Sequence, residues 1–319
     1  MAQTGTLREL SLHSLCMVCI MMHSMMNRIY ILLEERWQGT SLPEAAEAVR
    51  AYKGYGFEAD LWILESGDTL ADAGIDWSEQ DTLCVADSAR LLAELLSCGA
   101  AYCAFSHAGN RGEDLHAADY VLMELPWVDR DSLVKIWQRQ RDLPWTILET
   151  DRCLVREFVP EDLDAIYDLY DSEAKRFLEA PCSDRNKERE ILRSYIRRVY
   201  RLGGYGDWAV ISKATGALIG RMGYSFPSSS SPDADSEVTF GYLLRADWRG
   251  LGITREVGAS ILAYGFTMLG FEVVGADADI SNTASDKILR YFGFLPVAEE
   301  KNQRYYRLKK EDWTKRRLL

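Results

Sequence analysis

Residues 249–254 carry the clearest chemical signal of this sequence. The run reads Arg-Gly-Leu-Gly-Ile-Thr, follows an apolar stretch (238–244) that predicts a strand, and opens a stretch that predicts a helix of about 15 residues. Small residues at such a junction let consecutive backbone N–H groups turn toward one point, where the helix dipole also favours negative charge. The pattern predicts a pyrophosphate-binding loop, and the alternative is a plain structural turn before a helix.

The elements that must position this loop follow one another from residue 146 onward. Amphipathic and alternating patterns predict two helices and four strands, namely helices at 160–170 and 186–201 and strands at 148–157, 208–212, 217–226 and 237–244. The Ser-rich run 228–232 is too short to be a linker between domains. Residues 146–319 are therefore predicted to form one domain.

Three runs within residues 148–310 match a known family in their order. They are an opening strand (148–157), the loop 249–254, and an Asn-x-x-Ser run (282–285) that is followed by Gly-Phe. The loop departs from the acetyl-CoA signature Arg/Gln-x-x-Gly-x-Gly/Ala at Thr254, which is small but branched. On these runs the chain resembles the GCN5-related N-acetyltransferases (GNAT), and within them the ribosomal-protein N-terminal acetyltransferase type. The resemblance implies a mixed-sheet α+β domain with acetyl-CoA entering where two strands part.

The resemblance also implies how acetyl-CoA is held. Backbone amides of residues 249–254 would hold the pyrophosphate, the pantetheine would run along the strand that ends near Leu244, and Asn282 would help to order the cofactor arm. The implied cofactor-binding residues are Leu243, Leu244, Arg249, Gly250, Leu251, Gly252, Ile253, Thr254, Asn282 and Ser285. A neutral amine would attack the thioester carbonyl while a base removes the proton, and this reaction requires no metal.

The acid and the base carry a weaker signal. Many family members place a Tyr seven residues after the Asn, where this chain has Leu289, and Tyr291 lies roughly 200° further around the helix. The subgroup often has a Glu at the position of Thr239, and Glu237 lies two residues earlier on the same strand face. We predict Glu237, or the Thr239 position, for the base and Ser285 as donor to the leaving thiolate. The alternatives are a solvated Glu at a strand entry and a Ser that caps a helix.

The same resemblance implies that the acceptor is an amine of a small molecule or of a protein N-terminus. Four aromatic residues are candidates for lining its site, namely Tyr205, Trp208, Tyr224 and Tyr242. Because the usual Tyr and Glu are absent, a catalytically degenerate acyl-CoA-binding sensor or scaffold remains the alternative function.

Residues 1–145 show a different pattern. Strands at 83–86, 101–105 and 120–125 alternate with helices at 88–97 and 131–141, which predicts a Rossmann-like α/β domain with a parallel sheet. The run from Thr82 to Ser88 resembles haloacid-dehalogenase-like domains, where Asp87 would match an acid that helps to hold magnesium. No Asp-x-Asp-x-Thr/Val nucleophile motif occurs in residues 1–145, so we predict a non-catalytic domain. The alternative role for Asp87 is a helix N-cap.

The start of the chain is apolar. Residues 10–27 are uncharged, and their length touches the lower limit for spanning a bilayer. Polar residues within the run and the helix-like stretch 29–37 favour a buried helix, packed between the domains or against a second copy of the chain in a homodimer. Four potential metal ligands share one face of this helix, namely His13, Cys16, Cys19 and His23, but one straight helix cannot surround a tetrahedral zinc ion. No metal site is predicted.

Composition supports these expectations. A length of 319 residues favours two domains, which we place at 1–145 and 146–319. The net charge of −12 is concentrated in residues 1–145, which hold 11 Lys and Arg against 22 Asp and Glu. This balance argues against nucleic acid as the main partner. Seven cysteines without a dense framework indicate reduced thiols and a cytoplasmic protein.

Overall fold

The computed structural model describes residues 26–228, 232–233 and 235–317. The chain divides into two compact units, one up to Trp145 and one from Thr146, and each is described by itself. The predictions made for residues 10–25, including the potential ligands His13, Cys16, Cys19 and His23, lie outside the described residues.

The N-terminal unit is a parallel sheet with helices on both faces, as predicted. Its strands are β1 (Arg28–Glu34), β2 (Glu58–Leu64), β3 (Thr82–Ala86), β4 (Tyr102–Phe105) and β5 (Val121–Leu122), and their order is β2-β1-β3-β4-β5. Its helices are α1 (Gln38–Gly54), α2 (Ala89–Ser97) and α3 (Arg130–Gln140). Side chains from α1 and α3 share one apolar core with alternate residues of β1, and side chains from α2 share the other.

Two predictions in this unit are wrong. Residues 29–37 are not helical but form β1 and a short 3-10 turn at Glu35–Trp37. The central strand of a parallel sheet is buried on both faces, so its sequence is a continuous apolar run like that of a buried helix. The strand predicted at 120–125 is only Val121–Leu122, because Glu124 adopts a left-handed conformation (φ 52°) and Pro126 follows.

The C-terminal unit is a mixed eight-stranded sheet, as the resemblance implied. Its order is β12-β13-β11-β10-β9-β8-β7-β6, with β10 and β11 parallel and the other neighbours antiparallel. The strands are β6 (Thr146–Glu149), β7 (Cys153–Arg156), β8 (Asp207–Ser212), β9 (Leu218–Ser225), β10 (Val238–Leu244), β11 (Val273–Asp279), β12 (Leu295–Glu300) and β13 (Gln303–Lys309). The helices are α4 (Leu163–Asp168), α5 (Arg185–Tyr195), α6 (Ile253–Thr267), α7 (Thr283–Phe292) and α8 (Lys310–Arg317).

The single strand predicted at 148–157 is a hairpin of β6 and β7. The chain reverses at residues 150–152, where the Thr150 hydroxyl accepts a hydrogen bond from the Cys153 N–H at 3.0 Å. Short polar residues favour such turns because their side chains bond nearby backbone groups. The predicted helix 160–170 is a 3-10 turn followed by α4.

Strands β10 and β11 pair only at their beginnings in the described chain. The paired residues are Val238 with Val274 and Thr239 with Gly275, and beyond them the two strands part. The two faces of β10 differ beside this opening. Phe240 packs edge to face against Phe292 of α7, whereas Thr239 belongs to the opposite face.

Candidate functional site

The loop 249–254 folds as an amide cradle at the start of α6. Gly250 (φ 75°) and Gly252 (φ 80°) both adopt the left-handed conformation that favours glycine, and Gly252 is the N-cap of the helix. Within the described residues, the N–H groups of residues 250–254 donate to no backbone carbonyl. Several N–H donors are therefore free at the positive end of a 15-residue helix, which is a favourable place for a phosphate group.

The Arg249 side chain braces this loop. Its guanidinium donates to the Leu244 carbonyl at 3.0 Å, to the Asp171 carboxylate at 2.9 and 3.0 Å, and to Glu173 at 3.0 Å. The hydrogen bond from Arg249 is the main cause that lowers the pKa of Asp171. Because its donors are engaged in the protein, Arg249 positions the cradle and the free backbone amides remain for a ligand.

Arg152 lies beside the cradle, and no role was predicted for this residue from the sequence. Its guanidinium donates to the Leu251 carbonyl at 2.9 Å and to Glu256 at 2.6 Å. One of its terminal nitrogens lies 3.6 Å from where a Cβ on Gly252 would be. Burial opposes the charge of Glu256, but hydrogen bonds from Thr150 and Arg152 lower the pKa of this carboxyl overall.

A second cation lies in the first turn of α6. The Arg255 guanidinium stacks over the Tyr291 ring, 4.5 Å from its centroid, and both side chains are exposed. Tyr291 therefore lies toward the cradle, whereas Leu289, at the family's usual Tyr position, is buried. Arg152 and Arg255 place positive charge on two sides of the amide cradle.

The edge of β10 that faces β11 is open along the cofactor path implied by the resemblance. Leu243 and Leu244 pair with Arg221 and Gly220 of β9, and the ladder with β11 has ended at Thr239. Backbone groups on the β11 side of residues 240–243 thus find no strand partner in the described chain. An extended amide chain such as pantetheine could hydrogen-bond there as a strand does.

The start of α7 resolves the alternative raised for Ser285. The Asn282 side chain caps the helix by accepting a hydrogen bond from the Ser285 N–H at 3.1 Å. The Ser285 hydroxyl is not used as a cap and has no partner among the described residues. The Tyr242 hydroxyl lies 3.5 Å from the Ser285 carbonyl oxygen, and burial raises the pKa of Tyr242 to about 12. The Tyr242 hydroxyl therefore lies against the first turn of α7, which carries Ser285.

Glu237 lies at the paired end of β10. Its exposed carboxylate accepts the Glu272 N–H at 3.2 Å. The Tyr205 ring packs edge to face on Phe271, with 5.2 Å between centroids, and Phe271 directly precedes Glu272, so Tyr205 and Glu237 lie near each other. Desolvation is the main cause that raises the pKa of Tyr205, and the charge of Glu237 adds to it. The Tyr205 ring also lies 5.6 Å from that of Phe226, which is 65% exposed. Together they form a partly apolar surface next to a carboxylate.

Two of the four aromatic candidates for the acceptor site belong to the core. Trp208 is fully buried and Tyr224 is 1% exposed, and their rings pack edge to face. The Tyr224 hydroxyl donates to the Ile261 carbonyl of α6 at 2.9 Å. Both stabilise the packing of α6 on the sheet, and the other two candidates, Tyr205 and Tyr242, are partly accessible.

The Asp87 position of the N-terminal unit is filled by the protein's own side chains. Asp87 is fully buried, accepts the Glu34 N–H at 3.0 Å, and lies 3.4 Å from His107. Burial raises the pKa of Asp87 to about 7. The N-cap of α2 is Ser88, whose hydroxyl accepts the Leu91 N–H, so the capping role considered for Asp87 is wrong. Across the described chain, no group of three His, Cys, Asp or Glu side chains could hold a metal ion.

A search for membrane-spanning segments was negative over the same part of the chain. No helix among the described residues is both long enough and apolar enough to cross a bilayer.

Comparisons with known proteins found relatives, and the matched residues 152–295 of the family profile lie within the C-terminal unit. Residues 152–295 match the sequence profile described as "Acetyltransferase (GNAT) domain". The uncharacterized N-acetyltransferase YoaA of Bacillus subtilis is 27% identical over 150 residues, which are 46% of this chain and 82% of YoaA. The uncharacterized N-acetyltransferase p20 of Bacillus licheniformis is 26% identical over 149 residues, 46% of this chain and 81% of p20. Among solved structures, the ribosomal-protein-S5-alanine acetyltransferase from Vibrio fischeri is 17% identical and covers 52% of this chain and 97% of its own, with a TM-score of 0.45.

Proposed function

Since residues 152–295 form a GNAT domain and the chain is thus an acyl-CoA-dependent N-acetyltransferase with acetyl-CoA as cosubstrate, we propose that it acetylates a primary amine directly, in a ternary complex. The amine belongs to a small molecule or to a protein N-terminus. The observation that carries this proposal is the opening between β10 and β11, which leads to the amide cradle at residues 249–254.

The cradle fits the acidic part of acetyl-CoA. Free N–H groups of residues 250–254 bind the pyrophosphate, and the guanidinium groups of Arg152 and Arg255 add positive charge beside it. The pantetheine runs along the open edge of β10 past Leu243 and Leu244. Asn282, which caps α7, helps to order the same arm.

The chemistry is acyl transfer at the opening. A neutral amine nitrogen attacks the thioester carbonyl carbon, the C–N bond forms, and the C–S bond breaks to release the CoA thiolate. Glu237 takes the proton of the attacking nitrogen, directly or through water, and Thr239 lies two residues further along the same face. The Ser285 hydroxyl donates a hydrogen bond to the thiolate.

A protein that binds acyl-CoA without turnover is the second candidate. Leu289 is buried at the position where many family members have a Tyr, and Thr239 stands where the subgroup often has a Glu. Such a chain would keep the cradle and lose the reaction.

Calorimetry with acetyl-CoA and a free-thiol assay with a panel of amines test both candidates. Gly252→Glu places a carboxylate at a left-handed position within the cradle and is expected to abolish binding. Met268→Glu adds the same charge at the exposed far end of α6 and should bind as the unaltered protein does. Unaltered binding by Gly252→Glu would contradict the site, and binding without thiol release from any amine would favour the second candidate.

A further inference from the structure

Asp277 lies on β11 within the opening, two residues beyond the last residue paired with β10. That last pair is Thr239 with Gly275, and a strand rises about 7 Å over two residues. Because successive side chains of a strand point to opposite faces of the sheet, Asp277 lies on the same face as Gly275 and Thr239. This is the face opposite Phe240, which packs against α7.

The carboxylates around this opening differ from Asp277 in having partners. Each accepts hydrogen bonds from a cation, an amide or a hydroxyl of the protein: Asp207 from Arg221, Asp233 from Arg307, Glu237 from the Glu272 N–H, Asp279 from Ser281 and Asn302, and Asp286 from Arg290, Arg304 and Tyr306. Asp277 has no hydrogen bond and no ion pair to any described residue.

The surroundings of Asp277 suit a charged ligand. The side chain is open to solvent, yet nearby protein desolvates it enough to raise the pKa of its carboxyl. Its cross-strand neighbour on β13 is Tyr305, and such neighbours lie about 5 Å apart at Cβ. The Tyr305 hydroxyl likewise has no hydrogen-bond partner in the described part of the chain. A carboxylate and an aromatic ring side by side form a receptor for a cation.

An acceptor that covers Asp277 must replace the water that hydrates its carboxylate. Removing a carboxylate from water costs free energy unless a cationic or hydrogen-bonding partner replaces the water. The reacting nitrogen cannot be that lasting partner, because it must be neutral when it attacks the thioester. A cationic partner that stays paired with Asp277 during the reaction must therefore be another group of the same acceptor.

We propose that Asp277, with Tyr305, binds a second positive charge of the acceptor, so that the substrate is a small diamine or polyamine. This inference rests on the proposed N-acetyltransferase function. Asp277 is thereby a specificity-determining residue and takes no part in proton transfer.

The test compares two acceptors that differ only in the second charge, 1,4-diaminobutane and 1-aminobutane, using the full chain and a free-thiol readout. The diamine is expected to have a kcat/KM at least about tenfold higher, the size of a charge-assisted hydrogen bond. Asp277→Asn should raise the KM for the diamine about tenfold, with kcat and the constants for the monoamine changed by less than about threefold. Tyr305→Phe should retain the preference and Tyr305→Ala should reduce it. Glu300→Gln, which removes a negative charge from β12, is the matched control and should change neither substrate.

Three outcomes would overturn the proposal. The first is an equal kcat/KM of the unaltered protein for the diamine and the monoamine. The second is an equal loss of activity toward both amines in Asp277→Asn. The third is a higher kcat/KM for a short peptide N-terminus than for the diamine, together with an unchanged ratio of the two values in Asp277→Asn. If no amine is acetylated, the proposed function is wrong, and calorimetry of 1,4-diaminobutane with the CoA complex still decides the role of Asp277. An unchanged Kd in Asp277→Asn would then refute it.

Discussion

Replacing Arg152 by Met is expected to weaken acetyl-CoA binding without unfolding the C-terminal unit. In the structure the Arg152 guanidinium bonds the Leu251 carbonyl of the cradle and neutralises Glu256 in the first turn of α6. The substitution therefore removes a positive charge next to the phosphates and leaves Glu256, whose own charge does not change, without its ion-pair partner. Met retains much of the apolar stem, so the loss of packing is small.

The size of the effect follows from Coulomb's law. At roughly 8 Å and an effective dielectric constant of about 40–80, one charge interacts with one phosphate charge by about 0.5–1 kcal/mol. Against the two negative charges of a pyrophosphate, the loss of the single Arg152 charge gives about 1–2 kcal/mol, or a roughly 5- to 30-fold rise in Kd. The surface values of the dielectric constant apply because the Arg152 side chain is 49% exposed.

Calorimetry of acetyl-CoA binding at low and high salt measures this effect. The difference between the two proteins should shrink as salt screens the charges. Adding Glu256→Gln to Arg152→Met should recover most of the loss, since it removes a negative charge at a similar distance from the phosphates. Arg189→Met, which removes a partly exposed cation of α5, is the control. The reasoning is refuted if Arg152→Met binds as tightly as Arg189→Met, or if the double variant binds more weakly than the single one.

Two further predictions concern the reaction and the N-terminal unit. Glu237→Gln and Ser285→Ala should each lower kcat about 10- to 100-fold with little change in the Kd of acetyl-CoA. Stopped-flow thiol release measures kcat and calorimetry measures Kd. An unaltered kcat in both variants would show that neither residue acts in the chemistry. The pKa of Asp87 is raised to about 7, so folding favours the protonated form of this carboxyl. Asp87 therefore lowers the free energy of unfolding as pH rises from about 4 to 7, and it adds no further change above that range. Asp87→Asn should flatten this decline in the melting temperature of the N-terminal unit, and an identical pH dependence in both proteins would contradict the prediction.

The cradle could be predicted from sequence because its conformation is local. Gly250 and Gly252 mark the two left-handed positions, and the helix that follows is read from the same short run. The acetyltransferase resemblance of residues 148–310 is confirmed by the match of residues 152–295.

The side chains that support the cradle could not be predicted in this way. Arg152 bonds Leu251 across 99 positions of sequence, and Arg249 bonds Asp171 across 78. Neither pairing leaves a periodic or spaced signal, because each exists only after the sheet has formed. The same limit applies to Asp277, whose lack of a partner among the described residues is visible only when its neighbours are known.

The errors in secondary structure have a common physical origin. The run 29–37 is apolar on every side because β1 is buried on both faces, so its pattern has no period that separates a strand from a helix. The run 148–157 alternates through a tight turn, and alternation alone does not show where a strand reverses. Fold class was predictable here, whereas individual boundaries depended on tertiary packing.

The parting of β10 and β11 gives the C-terminal sheet an internal edge. Most sheets expose unpaired backbone only at their outer strands, but here residues 240–243 present it in the middle, where water must hydrate it. A ligand with amide groups that lies in this gap serves as a missing strand and joins the two halves of the sheet. With acetyl-CoA bound in this gap as proposed, the cosubstrate would be part of the architecture as well as the acyl donor, and the resistance of this unit to unfolding should rise with its concentration.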